Sequence, residues 1–174
     1  MPPPRRLPSL CAHVADVATL GVLIAAVAVA LLAPCAQAWG AGAFAEQLRP
    51  LLEKSCHQAP ARCWWLWGFP CALCARCLGL YLGALLGRGL YASEEWHVPR
   101  MRLPMLRALW FPAAWLALLA VLVADWWLTG HGYLPRALPR ATLSGLLGGI
   151  GWMLGPHRLL LQGFVRVVRW AVRV

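Results

Sequence analysis

The sequence predicts an all-α polytopic membrane protein of four transmembrane helices, followed by an amphipathic surface helix. Three observations predict it. Apolar runs cover residues 14–34, 71–91, 106–128 and 141–161, and each is close to the roughly 20 residues that a helix needs to cross a hydrocarbon core of about 30 Å. Apolar residues make up 61% of the chain and charged residues 13%, against about 45–50% and about 25% in soluble domains. The basic residues stand at the ends of the runs instead of gathering on one soluble face. The expected organisation is a disordered basic N-terminus over 1–12, one membrane domain over 13–161 with a Cys-rich loop at 35–70, and a membrane-surface tail over 162–174.

The first run follows Arg5 and Arg6 and ends in Ala36-Gln37-Ala38, the small-residue pattern of a signal-peptide cleavage site. Its apolar stretch over 17–33 exceeds the roughly 7–15 residues of a signal h-region, so a retained span is expected. Either outcome sends residue 39 to the same side. His13 and Asp16 read as interfacial polar residues. Over 39–54, Phe44, Leu48, Leu51 and Leu52 recur at the spacing of one helical face. This predicts a short surface helix, bent at Pro50. Trp64, Trp65, Trp67 and Phe69 suit the headgroup belt.

The second run places Ala75, Gly79, Gly83 and Gly87 at every fourth position, a face of small residues that lets another backbone come close. The fourth run has the pairs Gly145/Gly149 and Gly151/Gly155, and the two helices are expected to pack together. Such faces also suit a second copy of the chain or a membrane partner. Asp125 ends the third run, and an acid in lipid needs a cation; Arg76 and Arg140 are its candidates. Glu94, Glu95 and His97 read as a solvated loop. In the tail, polar residues at 158, 162, 166, 169 and 173 form one stripe between apolar ones, which predicts a helix lying on anionic lipid.

The net charge is +10, and fifteen of the sixteen basic residues are arginine. Nucleic-acid binding is excluded by their placement at span ends, where they serve as topology signals. Ten lie on the side of the termini and second loop, against five or six on the other. Both termini are therefore expected in the cytoplasm, with the first loop facing outward.

That loop holds the chemistry. Residues 56–77 read CHQAPARCWWLWGFPCALCARC and contain five of the seven cysteines. Cys74 and Cys77 form a C-x-x-C at a helix start, so their sulfurs share one side of a turn, and the helix N-terminus with Arg76 favours thiolate. With Cys56 and His57 they make a Cys₃His set suited to zinc, although adjacent ligands such as Cys56 and His57 are geometrically awkward. Three ligands and a water would instead suggest a catalytic zinc. The alternative is a thiol–disulfide centre at Cys74 and Cys77, with Cys56 and Cys63 as a second pair. Its layout looks like that of membrane thiol oxidases that pass electrons to quinone. Those keep a second pair in the later outward loop, whereas residues 129–139 here have no cysteine, which counts against quinone. A third possibility is a structural or interaction subunit, with Cys63 and Cys71 the best candidates for a structural disulfide. Cys11 and Cys35 read as bystanders.

The string Cys56-His57-Gln58-x-Pro60-x-Arg62, then Cys74-Ala75-Arg76-Cys77-x-Gly79-x-Tyr81-x-Gly83, resembles a family of small prokaryotic predicted membrane proteins known only as a domain of unknown function. That family's pattern runs C-H-Q-x-P-x-R-S, then C-A-R-C-T-G-I-Y-L-G. A later Asp, Arg and Thr-Gly are similar to Asp125, Arg140 and Ser144-Gly145. The resemblance extends over about 51–152. Here Cys63 replaces a Ser and Leu78 a Thr, and Ala137 stands near the place of a missing Asn. The resemblance implies Cys56, His57, Cys74 and Cys77 as the core set, and a polar network of Gln58, Arg62, Arg76, Asp125 and Arg140. It also implies a prokaryotic plasma (inner) membrane. It supplies no activity.

Overall fold

The computed structural model describes residues 7–95 and 112–171. Helix α1 spans Leu7–Ala38, followed by two short helices, α2 (Gly42–Leu48) and α3 (Pro50–Glu53). A 3₁₀ turn at Pro60–Arg62 leads into strands β1 (Cys63–Leu66) and β2 (Phe69–Cys74). Helices α4 (Ala75–Glu95), α5 (Pro112–Gly130) and α6 (Leu138–Trp152) follow. A π-helical segment, Met153–His157, joins α6 to α7 (Arg158–Ala171). Helix α1 begins within the stretch expected to be disordered. Residues 1–6 of that stretch, His97 and the basic loop of Arg100, Arg102 and Arg107, and Arg173 lie outside the described residues.

The molecule is mostly helical, but the all-α expectation needs correcting for the hairpin. Strands β1 and β2 pair antiparallel, with Cys63 opposite Cys74 and Leu66 opposite Phe69. Their two-residue connection, Trp67 and Gly68, has positive φ at both positions (52° and 83°), the signature of a turn matched to strand twist. The usual Asn-Gly signal is missing, so the sequence hid the turn. The apolar run expected to begin a span at 71 therefore opens as strand, with Cys71, Ala72 and Leu73 buried, and the helix starts at Ala75.

Pro50 breaks the surface helix into α2 and α3, as its missing N–H and ring demand. Along α1, Leu23, Ala26, Ala30 and Ala33 are buried at the 3–4 spacing of one face. Ala26, Ala30 and Ala33 pack with Leu52, Cys56, Ala72, Leu73 and Leu78, and Leu23 with Ala84 and Met153. The opposite face shows Val17, Ile24 and Leu31 to the surroundings. Helix α4 packs most extensively on α6, and α5 lies against α6 on the far side.

The contact between α4 and α6 is made by glycine. A methyl group at Gly79 would strike the Thr142 carbonyl, and one at Gly83 the Leu146 carbonyl. Methyls at Gly145 and Gly149 would strike the carbonyls of Arg76 and Leu80. Gly87 sits near Met153 and Ile150. The two rows face each other, so neither is free for a second chain.

Among the described residues, two helices are long and apolar enough to cross a membrane, His13–Ala38 and Ala113–Gly130. Helix α5 leaves Leu116, Val121, Val123 and Trp126 exposed, an apolar surface that water would not tolerate uncovered. Helix α7 packs on α1 and exposes Leu159, Leu160, Phe164, Val167 and Trp170.

Candidate metal centre and polar network

The segment after α3 folds back because its polar groups are held locally. The Ser55 and Cys56 amides both donate to the Leu52 carbonyl. Gln58 donates from Nε2 to the Arg49 carbonyl at 2.7 Å, and Arg49 donates to the Pro70 carbonyl at 3.1 Å. Gln58 pays for this with a positive φ of 50°, uncommon for a residue with a Cβ. The result pins the chain around Cys56 to the hairpin, whose second strand ends at Cys74 on the threshold of α4.

One sulfur from each of Cys56, Cys74 and Cys77 lies within 4.8 Å of the others. The Cys74 amide donates to Cys56 Sγ at 3.2 Å, and Cys77 Sγ lies 3.9 Å from the Ser55 carbonyl oxygen. Hydrogen bonds from the Cys74 and Cys77 thiols, with that amide, hold the Cys56 thiol far below its ordinary value, at about 2. One thiolate is thus stabilised among two thiols at a helix start, and such a cluster can hold a metal ion. Cys63 is the opposite case. It is buried, donates its S–H to the Ala59 carbonyl, and is pushed up to about 12, chiefly by burial. Cys35, Cys56, Cys63, Cys71, Cys74 and Cys77 are all free thiols.

The ring of His57 does not join the three sulfurs; its side chain is exposed on the wall of the same cavity. Successive side chains diverge along the backbone, and the turn that aims Cys56 inward aims its neighbour outward.

Beside the sulfurs lies a second cluster. Asp125, 7% exposed, receives Arg76 at 2.6 Å and Arg140 at 2.8 Å. Ser144 donates to it at 2.9 Å. Arg140 also donates to Thr129 Oγ1 at 3.1 Å. The acid at the end of α5 is thus paired with both arginines and ties α4, α5 and α6 together. Arg62 is exposed at the end of the 3₁₀ turn and stays outside this network, as does Gln58.

Sequence reasoning missed the roles of Ser144 and Thr142. Ser144 stands one helical turn after Arg140, so a polar row on α6 was the available signal. Thr142 accepts the Trp64 indole N–H at 2.9 Å, which draws one of the four aromatic residues expected at the headgroups into the protein. Trp65 and Trp67 remain exposed.

Sulfurs and arginines share one cavity of about 400 Å³. Its walls come from the loop after α3, the start of α4, the end of α5 and the start of α6.

A family described as a predicted membrane protein, DUF2085, matches residues 56–154. An uncharacterized protein of Methanocaldococcus jannaschii is 47% identical over 36 residues, which is 21% of this chain and 23% of that protein. The match thus spans under a quarter of that relative's length. No solved structure matches.

Proposed function

On the premise that the chain belongs to the DUF2085 family of predicted membrane proteins, we propose a four-span integral membrane protein with a zinc site formed by Cys56, Cys74 and Cys77. The observation that supports zinc is the close approach of the three sulfurs around one stabilised thiolate. Zinc–sulfur bonds of about 2.3 Å in a tetrahedron put the sulfurs roughly 3.8 Å apart, so small shifts close the site. Water, or the His57 ring if it turned inward, would take the fourth position. Three protein ligands with one open place are the pattern of a zinc that acts on a bound ligand. The network of Asp125, Arg76 and Arg140 holds the start of α4 rigid beneath the metal, with Gln58 bracing the loop and Arg62 facing the ligand.

In this reading α1, α4, α5 and α6 with its π segment cross the bilayer. The 21 residues of α4 span about 31 Å at 1.5 Å each. Its glycines and arginines lower its hydropathy, but Gly79, Gly83 and Gly87 face α6 and the segment after it, Arg76 is paired with Asp125 and Arg88 with Asp16. The arginine asymmetry supports cytoplasmic termini and an outward site in a prokaryotic inner membrane, with α7 on anionic lipid. Lys54 is the single lysine and is exposed, so an impermeant amine reagent should modify it in intact cells. Protection of Lys54 until the membrane is opened would reverse the orientation.

Elemental analysis of the detergent-purified protein, with thiols counted on the same sample, tests the metal. About one zinc per chain is expected, falling to near zero in Cys56→Ser and Cys74→Ser and persisting in Cys63→Ser. Loading should decline as pH falls, because protons compete for the thiolates. No zinc, with a thiol count that rises by two on reduction, would favour a thiol–disulfide centre at Cys74 and Cys77. The low-lying Cys56 thiolate keeps that second reading open, and quinone enters only there.

A further inference from the structure

Beyond the metal, we infer that the shared cavity is an anion site for a phosphate group, carried by a small soluble phosphate or by a lipid headgroup. Five cations line it: Lys54, Arg62, Arg76, Arg136 and Arg140. Three anions oppose them, Glu53 on the wall, Asp125 beneath Arg76 and Arg140 and the Cys56 thiolate, which leaves an excess of two positive charges. A zinc ion that deprotonates the other two thiols would leave that excess unchanged.

The arrangement of the cations matters as much as their number. Arg76 and Arg140 are fixed by Asp125 and form a rigid floor. The side chains of Lys54, Arg62 and Arg136 make no ion pair or hydrogen bond among the described residues, although three separate segments bring them to one cavity. Like charges repel at such a site, and a fold that gathers them is relieved by an anion. Arginine forks match the oxygens of phosphate in pairs, and several converging cations suit a dianion better than a single carboxylate.

The cavity's size limits the ligand. About 400 Å³ lies near the lower end of small-molecule sites, roughly 300–1,000 Å³, and is too small for a folded polyanion. Trp126 and Leu138 on the same wall offer an apolar side to the organic part of a phosphate ester or to the first carbons of an acyl chain.

The test uses the full chain in a non-ionic detergent at constant ionic strength, titrated calorimetrically with inorganic phosphate and, separately, with dioctanoyl phosphatidate. Saturable binding of one equivalent is expected, weakened about tenfold or more by Arg62→Gln or Arg136→Gln, as loss of a charged hydrogen bond implies. Glu46→Gln changes an exposed acid away from the cavity and should leave binding unchanged. Binding of inorganic phosphate, with competition against phosphatidate, would point to a soluble ligand. Binding of phosphatidate alone would point to a headgroup. No saturation by either probe below about 10 mM, an affinity under roughly 3 kcal/mol, would overturn the inference. So would an effect of Glu46→Gln as large as that of Arg136→Gln, which would mark diffuse surface charge. In Cys74→Ser, phosphate binding should persist even where metal is lost, so the two proposals fail separately.

Discussion

The two ends of the helix bundle each bury an aspartate against arginine, and they differ in what surrounds the pair. At the α4 start, Asp125 takes two arginines and a serine and borders a cavity of about 400 Å³. At the other end, Asp16 of α1 pairs with Arg88 of α4, its second oxygen accepts no hydrogen bond among the described residues, and the adjoining cavity holds only about 10 Å³. That is room for one water at most. An ion pair in a closed end fastens two helices. The same chemistry beside open space and reactive sulfurs makes the floor of a site. Neither pair adds much stability against an apolar alternative, but each is costly to break from one side.

The largest effect should separate the two ends. Asp125→Asn removes the carboxylate that Arg76 and Arg140 share and is expected to cost about 3–5 kcal/mol, read as loss of resistance to unfolding in mixed detergent. Asp16→Asn removes a single ion pair, the one with Arg88, and should cost less. Equal costs would mean that the second arginine at Asp125 is held by solvent instead.

A smaller contrast runs along the glycine seam. At Gly79 an added methyl meets the Thr142 backbone, which cannot move without shifting α6, so Gly79→Ala should cost about 1–3 kcal/mol. At Gly87 the nearest atoms, Met153 Cβ at 3.0 Å and the Ile150 backbone at 3.2 Å, lie farther from an added methyl than Thr142 does at Gly79, and Gly87→Ala should cost less. Gly89, with open space around it, is the neutral control. A modest effect is expected at Ser144→Ala, about 1.5 kcal/mol, the low end for one hydrogen bond to a charged group, since Asp125 keeps both arginines. The same unfolding assay should show it without loss of zinc, since Ser144 touches no sulfur.

Much of this layout was legible in local spacing. Glycines at every fourth position announce a close helix contact, and a C-x-x-C at a helix start announces two sulfurs on one turn, because both follow from 3.6 residues per turn. The acid ending an apolar run implied a cationic partner, and Arg76 and Arg140 were on hand. The hairpin was not legible, because Trp67 and Gly68 make its turn without the usual Asn-Gly signal, and the buried residues 71–74 read as the beginning of a helix. Nor was the fate of His57, since adjacency in sequence says nothing about which neighbour a turn aims inward.

The sequence by itself determined the membrane character, the helix seam and the types of residue available to the site. Those depend on composition and short-range periodicity, which a chain carries before it folds. Tertiary structure alone decided that Cys56 joins Cys74 across eighteen residues, that Ser144 completes the shell of Asp125, and that Lys54, Arg62 and Arg136 converge on one cavity. Such meetings depend on the angles at which loops return to the bundle. Those angles are set by the summed packing of α1, the hairpin and α4, a sum that no local stretch of sequence contains.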